Sequence, residues 1–141
     1  MDYRIFNNIV VLRIDRGEEV VECINDIVID NDIRLGTLTG IAASNNIEAG
    51  LFDTETKIYN TKTFKDEDFE VTSLVGNITT KDNKPYLHLH INFSDKNFNA
   101  YGGHLSKCVI SGACEIFITI IDGNVGRKSS NIGLNIFDFE I

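Results

Sequence analysis

A chain of 141 residues, 43% apolar and 24% charged, has the size and make-up of one ordinary folded domain rather than of a disordered tail. Its 13 basic and 21 acidic side chains leave a net charge of −8, a surface that favours solubility and repels polyanions. The three cysteines, Cys23, Cys108 and Cys114, are odd in number and form no Cys-x-x-Cys, so they indicate neither a disulfide framework nor a zinc knuckle.

Tyr3 to Ile14 is rich in Ile and Val and predicts a first strand, followed by a turn at Arg16-Gly17. Glu18 and Glu19 suit the first turn of a helix, where carboxylates meet the positive end of the dipole. Val20, Val21, Ile24, Ile27 and Val28 then form one apolar helical face, joined by Cys23, and Asp30-Asn31-Asp32 ends the helix. From there strand patterns dominate. Arg34 to Ala43 predicts one strand. Glu48–Phe52 and Lys57–Thr63 predict a hairpin around Asp53–Thr56, and Phe69–Thr80 and Pro85–Ser94 another around Lys81–Lys84. Ser94 to Gly103 reads as a loop, and His104–Ile110 and Cys114–Ile121 as further strands. A turn at Asp122-Gly123-Asn124, a loop at Ser129–Asn131, a bend at Asn131–Gly133 and a short closing strand at Phe137–Phe139 complete the chain. One helix among many antiparallel strands is an α+β pattern, expected here as a single domain over residues 1–141. The longest aliphatic-aromatic run, Ile116 to Ile121, is too short to span a bilayer, and Met1–Ile5 carries no signal-peptide pattern. A cytoplasmic protein with no membrane partner is expected.

All three histidines fall between His88 and His104. From Pro85 to Ser94 apolar and polar residues alternate: Leu87, Leu89, Ile91 and Phe93 share one face, and Tyr86, His88, His90, Asn92 and Ser94 the other. His88 and His90 therefore project side by side with Cα atoms roughly 6.5–7 Å apart, a spacing from which two imidazoles converge on one ion. His104 follows Gly102-Gly103, whose freedom lets a loop return it to the same face. Three histidines with an open fourth position is an arrangement seen in catalytic zinc sites. Isolated histidines on a polar face are more often merely solvated or hydrogen-bonded, and it is the concentration of all three that favours a metal. Further site candidates are Asn92, Gly102 and Gly103, and the strand carboxylates Glu48, Glu70 and Glu115 as a fourth ligand or proton-transfer group, with plain solvent-facing residues as the alternative. A Cys108–His104 nucleophile pair is disfavoured, because no third group orients it.

The same residues resemble the plants-and-prokaryotes-conserved (PPC) family. The resemblance runs through Gly17-Glu18, Gly40-Ile41-Ala42, Phe69-Glu70-Val71-Thr72-Ser73-Leu74-Val75-Gly76, Pro85 to His90, Gly102-Gly103-His104-Leu105 and Glu115-Ile116, covering about Asp2 to Ile121. It implies a fold built around an antiparallel sheet, similar to that of acetolactate decarboxylase, a homotrimer, and a metal ion on His88, His90 and His104; zinc is the ion expected, although imidazole suits nickel, cobalt and iron(II) as well. Plant members carry a basic Gly-Arg-Pro hook for DNA. Here Gly126-Arg127-Lys128 lacks the proline, and Glu67-Asp68 stand where plant members have Gly-Arg. The expectation is a trimeric metal-binding module of the family associated with DNA binding and regulation, itself not contacting DNA. A metal-dependent enzyme of lyase or hydrolase type, with a small-molecule ligand at the metal, is the alternative.

Overall fold

The alternation along the chain is realised as eight strands and one helix in a computed structural model that describes residues 1–140. In chain order these are β1 (Asp2–Phe6), β2 (Ile9–Ile14), α1 (Val20–Asp30), β3 (Gly36–Phe52), β4 (Tyr59–Lys81), β5 (Lys84–Ser94), β6 (Ala100–Ile120), β7 (Gly126–Ser129) and β8 (Asn135–Asp138). The architecture is α+β. One antiparallel sheet has the order β1-β2-β6-β3-β4-β5, and β5 also pairs with β6, so β3, β4, β5 and β6 close on one another. The short β7–β8 hairpin forms a second sheet.

The first predicted strand is two. Asn7 takes a positive φ of 55°, which asparagine tolerates, and the chain reverses there into the β1–β2 hairpin. The strands predicted as pairs around polar interruptions are instead single long strands. In β3 the interruption at Ser44-Asn45-Asn46 is a bulge, with the buried Ser44 hydroxyl donating to the Val109 carbonyl at 2.6 Å. In β4 the charged run Lys65–Asp68 bulges at Asp66, where φ is 66°. In β6 the Ser111–Ala113 segment lies at a further irregularity opposite β3. A bulge absorbs a polar run and bends the strand without ending it, which is why polarity alone suggested chain breaks.

The core lies between the inner face of the sheet and α1. Val20, Cys23, Ile24, Ile27 and Val28 are buried on the helix, as its apolar stripe predicts, opposite fully buried Leu12, Ile14, Ile110 and Ile116. The N-terminus of the helix is tied to β6. The Glu19 carboxylate caps the Glu22 N–H at 2.8 Å and accepts the Cys108 N–H at 2.8 Å, while the Gly17 N–H donates to the Ile110 carbonyl and the Ile110 N–H to the Glu18 carbonyl. The small residues Gly40 and Ala42 serve this interior: a Cβ at Gly40 would meet the Ile116 side chain at 2.7 Å. At the other end Phe64, Phe69, Phe93 and Tyr101 interlock, with ring centroids 5.0–6.3 Å apart, where β5 and β6 pair beside their hairpin turn.

Candidate metal centre

Leu89, Ile91 and Phe93 of β5 are buried, so the alternating residues His88 and His90 emerge on the outer face of the sheet. His104 reaches them by strand pairing and not by a loop. Gly102 and Gly103 lie inside β6, opposite Asn92 and Ile91, and His104 stands directly across from His90. The glycines matter for closeness rather than for a special φ. A Cβ at Gly103 would lie 2.7 Å from the Gly50 carbonyl, and one at Gly102 2.9 Å from the Ile91 carbonyl. Gly76 plays the same part beneath His88, whose carbonyl oxygen would collide with a Cβ there.

The three imidazoles form one group. Their ring centroids are 5.0, 5.2 and 5.8 Å apart, and one donor atom from each lies within 4.8 Å of the others. A tetrahedral ion with metal–nitrogen bonds of about 2.0–2.1 Å holds its ligands about 3.3 Å apart, so a small rotation of the rings closes the set. His88 and His104 are half-buried and His90 is exposed. Burial, reinforced by the neighbouring His104 and His90 and then by Arg127, pushes His88 down to about 4. Burial, with His90 adding, lowers His104 as well. These two rings are therefore neutral at physiological pH, the form that ligates. All-imidazole donors of this geometry fit a divalent ion.

Polar neighbours of the group bond elsewhere. The Tyr59 ring stands edge-on to His104 at 5.6 Å, while its hydroxyl bonds to the His104 carbonyl at 3.3 Å and to Ser106 at 3.1 Å. It gets there because Gly50 has no side chain, since a Cβ would sit 2.5 Å from the Tyr59 ring. Asn77 pairs across the strand with His88 and accepts a hydrogen bond from Arg127. The linear order did not reveal Tyr59, Asn77 or Arg127, although a glycine inside a strand, as at Gly50 and Gly76, is the usual mark of close approach.

Among the described residues the ligating group contains no carboxylate. Glu48 faces outward on β3, opposite Lys107 and Thr63; Glu70 is exposed on β4, opposite Ser94; Glu115 lies towards the far end of β6, opposite Arg13 and Ile41. Asn92 shares the outer face of β5 but accepts the Thr72 hydroxyl at 3.1 Å. Cys108 is buried in the core although it is four residues from His104, because a β6 irregularity at Ser106-Lys107 shifts the alternation. Burial pushes its thiol, like that of Cys23, up to about 11, and that of Cys114 to about 12, which leaves all three unreactive.

An outward-facing three-histidine group on a closed, bulged antiparallel sheet backed by one helix defines an α+β domain with a candidate metal centre. A model of the Plants and Prokaryotes Conserved (PCC) domain, also written PPC, matches residues 1–122, and the chain belongs to this family. A candidate DNA-binding protein from Bacteroides thetaiotaomicron is 32% identical, with 99% of this chain and 98% of that one covered and a TM-score of 0.96. A metal-containing protein from Archaeoglobus fulgidus is 30% identical over 96% of each chain, with a TM-score of 0.86. Acetolactate decarboxylase from Bacillus subtilis shares the fold alone, at 18% identity and a TM-score of 0.55 over 86% of this chain and 57% of its own. No curated protein matches the chain.

Proposed function

We propose that the chain is a one-domain, stand-alone PPC protein that assembles as a homotrimer. In this reading it holds one divalent ion, zinc foremost, on His88, His90 and His104, and serves a regulatory role without gripping DNA itself. The observation that carries this reading is the convergence of three imidazoles, two of them held neutral by burial, from two paired strands. The metal content of the Archaeoglobus relative supports it. The net charge of −8 argues against direct DNA contact, because phosphate contacts by Lys and Arg supply most non-specific affinity. Among the described residues no helix is long and apolar enough to cross a membrane.

Metal-dependent chemistry of lyase or hydrolase type is a second reading. It is favoured by the exposure of His90, which leaves the side of the site away from the sheet accessible to a small molecule. A bound ion would supply Lewis-acid polarisation of a carbonyl or an activated water there. Calorimetric titration of zinc chloride into tag-free, chelator-treated protein tests the shared premise. One ion per chain is expected, and the absence of saturable heat contradicts the site.

A further inference from the structure

The β7–β8 hairpin lies beyond the residues matched by the family model, and it lays one side chain over the outer face of β4 and β5. Arg127 donates from Nε to the Thr79 hydroxyl at 2.9 Å, from one terminal nitrogen to the Asn135 carbonyl at 3.2 Å, and from the other to Asn77 Oδ1. Its guanidinium lies between two rings, 4.8 Å from the centroid of Tyr86 and 4.5 Å from that of Phe137. Asn77 is the cross-strand partner of His88, and Tyr86 is its neighbour on the same face of β5, so the cation stands one side-chain row from the histidine group. The hairpin carboxylates do not neutralise it, since Asp138 and Glu140 lie by Lys128 at 3.3 and 4.0 Å. A guanidinium has five N–H donors, so two are left over after these three bonds.

A half-buried cation beside a site for a dication is repulsive by Coulomb's law unless an anion lies between them. A clip that only fastened the hairpin would need hydrogen bonds and ring contacts, and no net positive charge. We propose that Arg127, braced by Asn77, Tyr86 and Phe137, is an anion-recognition residue of the histidine site, and that the site takes a small oxyanionic ligand, a carboxylate or a phosphate. The planar fork of the guanidinium suits both groups. This inference rests on the metal reading above.

The test uses the intact protein loaded with cobalt(II), whose visible absorption responds to anions entering its coordination sphere. Malonate and inorganic phosphate are titrated at constant ionic strength into wild type, Arg127→Met and Ile136→Ala. Loss of a charge-assisted hydrogen bond is expected to weaken anion binding in Arg127→Met about tenfold or more, with cobalt retained as well as in wild type or better. Ile136→Ala, which trims an exposed residue of the same hairpin that pairs with Lys128 and leaves every contact of Arg127 in place, is expected to stay within about threefold of wild type by the same reasoning. The tighter of the two anions in wild type identifies which oxyanion the site prefers. Equal affinities in wild type and Arg127→Met, or an equal loss in Ile136→Ala, overturn the proposal and leave Arg127 as a structural clip. Wild type that retains no cobalt refutes the metal reading itself, whereas retained cobalt without an Arg127-dependent response refutes this inference alone.

Discussion

At Gly103 the lack of a side chain decides where His104 sits. β6 runs so close to β3 there that a Cβ would meet the Gly50 carbonyl at 2.7 Å, a backbone atom that cannot step aside. Gly103→Ala is expected to cost about 1–3 kcal/mol, as overpacking in a tight interior does, and to weaken metal binding by moving His104 from His90. Urea unfolding and a zinc titration read both effects, and unchanged zinc affinity in a folded variant contradicts the close-approach argument. His88 offers a second test. Burial first, then its histidine neighbours and Arg127, holds it at about 4, whereas an unfolded imidazole titrates near 6.5. Between those values the unfolded chain binds more protons than the folded one. This contribution is therefore lost as pH falls from about 6.5 towards about 4, and the metal-free protein is more stable above that window. Thermal unfolding of metal-free wild type should fall more steeply across it than that of His88→Gln, and parallel profiles contradict the assignment. The pairing of His88 with His90 was legible because strand alternation is a local, two-residue rule. The arrival of His104 was legible only as chemistry: its route is a non-local strand register, which the Gly-Gly pair disguised as a loop.

Among the elements, α1 was the most legible, because its apolar stripe, acidic start and Asp-Asn-Asp end all agree. Its anchoring was not, since Glu19 caps the helix and also accepts the Cys108 N–H from β6, a partner 89 residues away. Glu19→Ala is expected to lower stability by about 1–2 kcal/mol, through loss of the cap and of the acceptor for Cys108. Denaturant unfolding checks this, and a change below about 0.5 kcal/mol, the range of ordinary surface substitutions, contradicts it. The strands were the least legible in extent. Ser44–Asn46, Lys65–Asp68 and Ser111–Ala113 carry turn-like composition, yet each is absorbed by a bulge in a strand whose neighbours hold it in place. The same bulges switch which face a residue takes, so that His104 points out and Cys108 in despite an even spacing. No window of local sequence contains that information.

For the whole molecule, the outer face of the sheet that carries the histidines also exposes large apolar residues. Phe6, Ile41, Val75 and Phe117 are 61%, 57%, 45% and 52% exposed, and the register places Val75 and Phe117 on either side of Thr39. Exposed apolar side chains on one face of the sheet suit subunit contact, whereas the small residues of Gly40–Ser44 are used inside the chain. Light scattering coupled to size exclusion is expected to give three times 15.8 kDa, and a stable monomer at micromolar concentration contradicts the trimer. The central claim is the ion, and its most direct test is elemental analysis of tag-free wild type and His90→Ala after identical zinc loading and desalting. His90 is exposed and its strand neighbours Leu89 and Ile91 keep their places in the core, so the variant should fold. Wild type is predicted to retain about one zinc per chain and His90→Ala to lose most of it, since two imidazoles hold zinc far less well than three. Near-equal zinc in the two proteins would contradict the account.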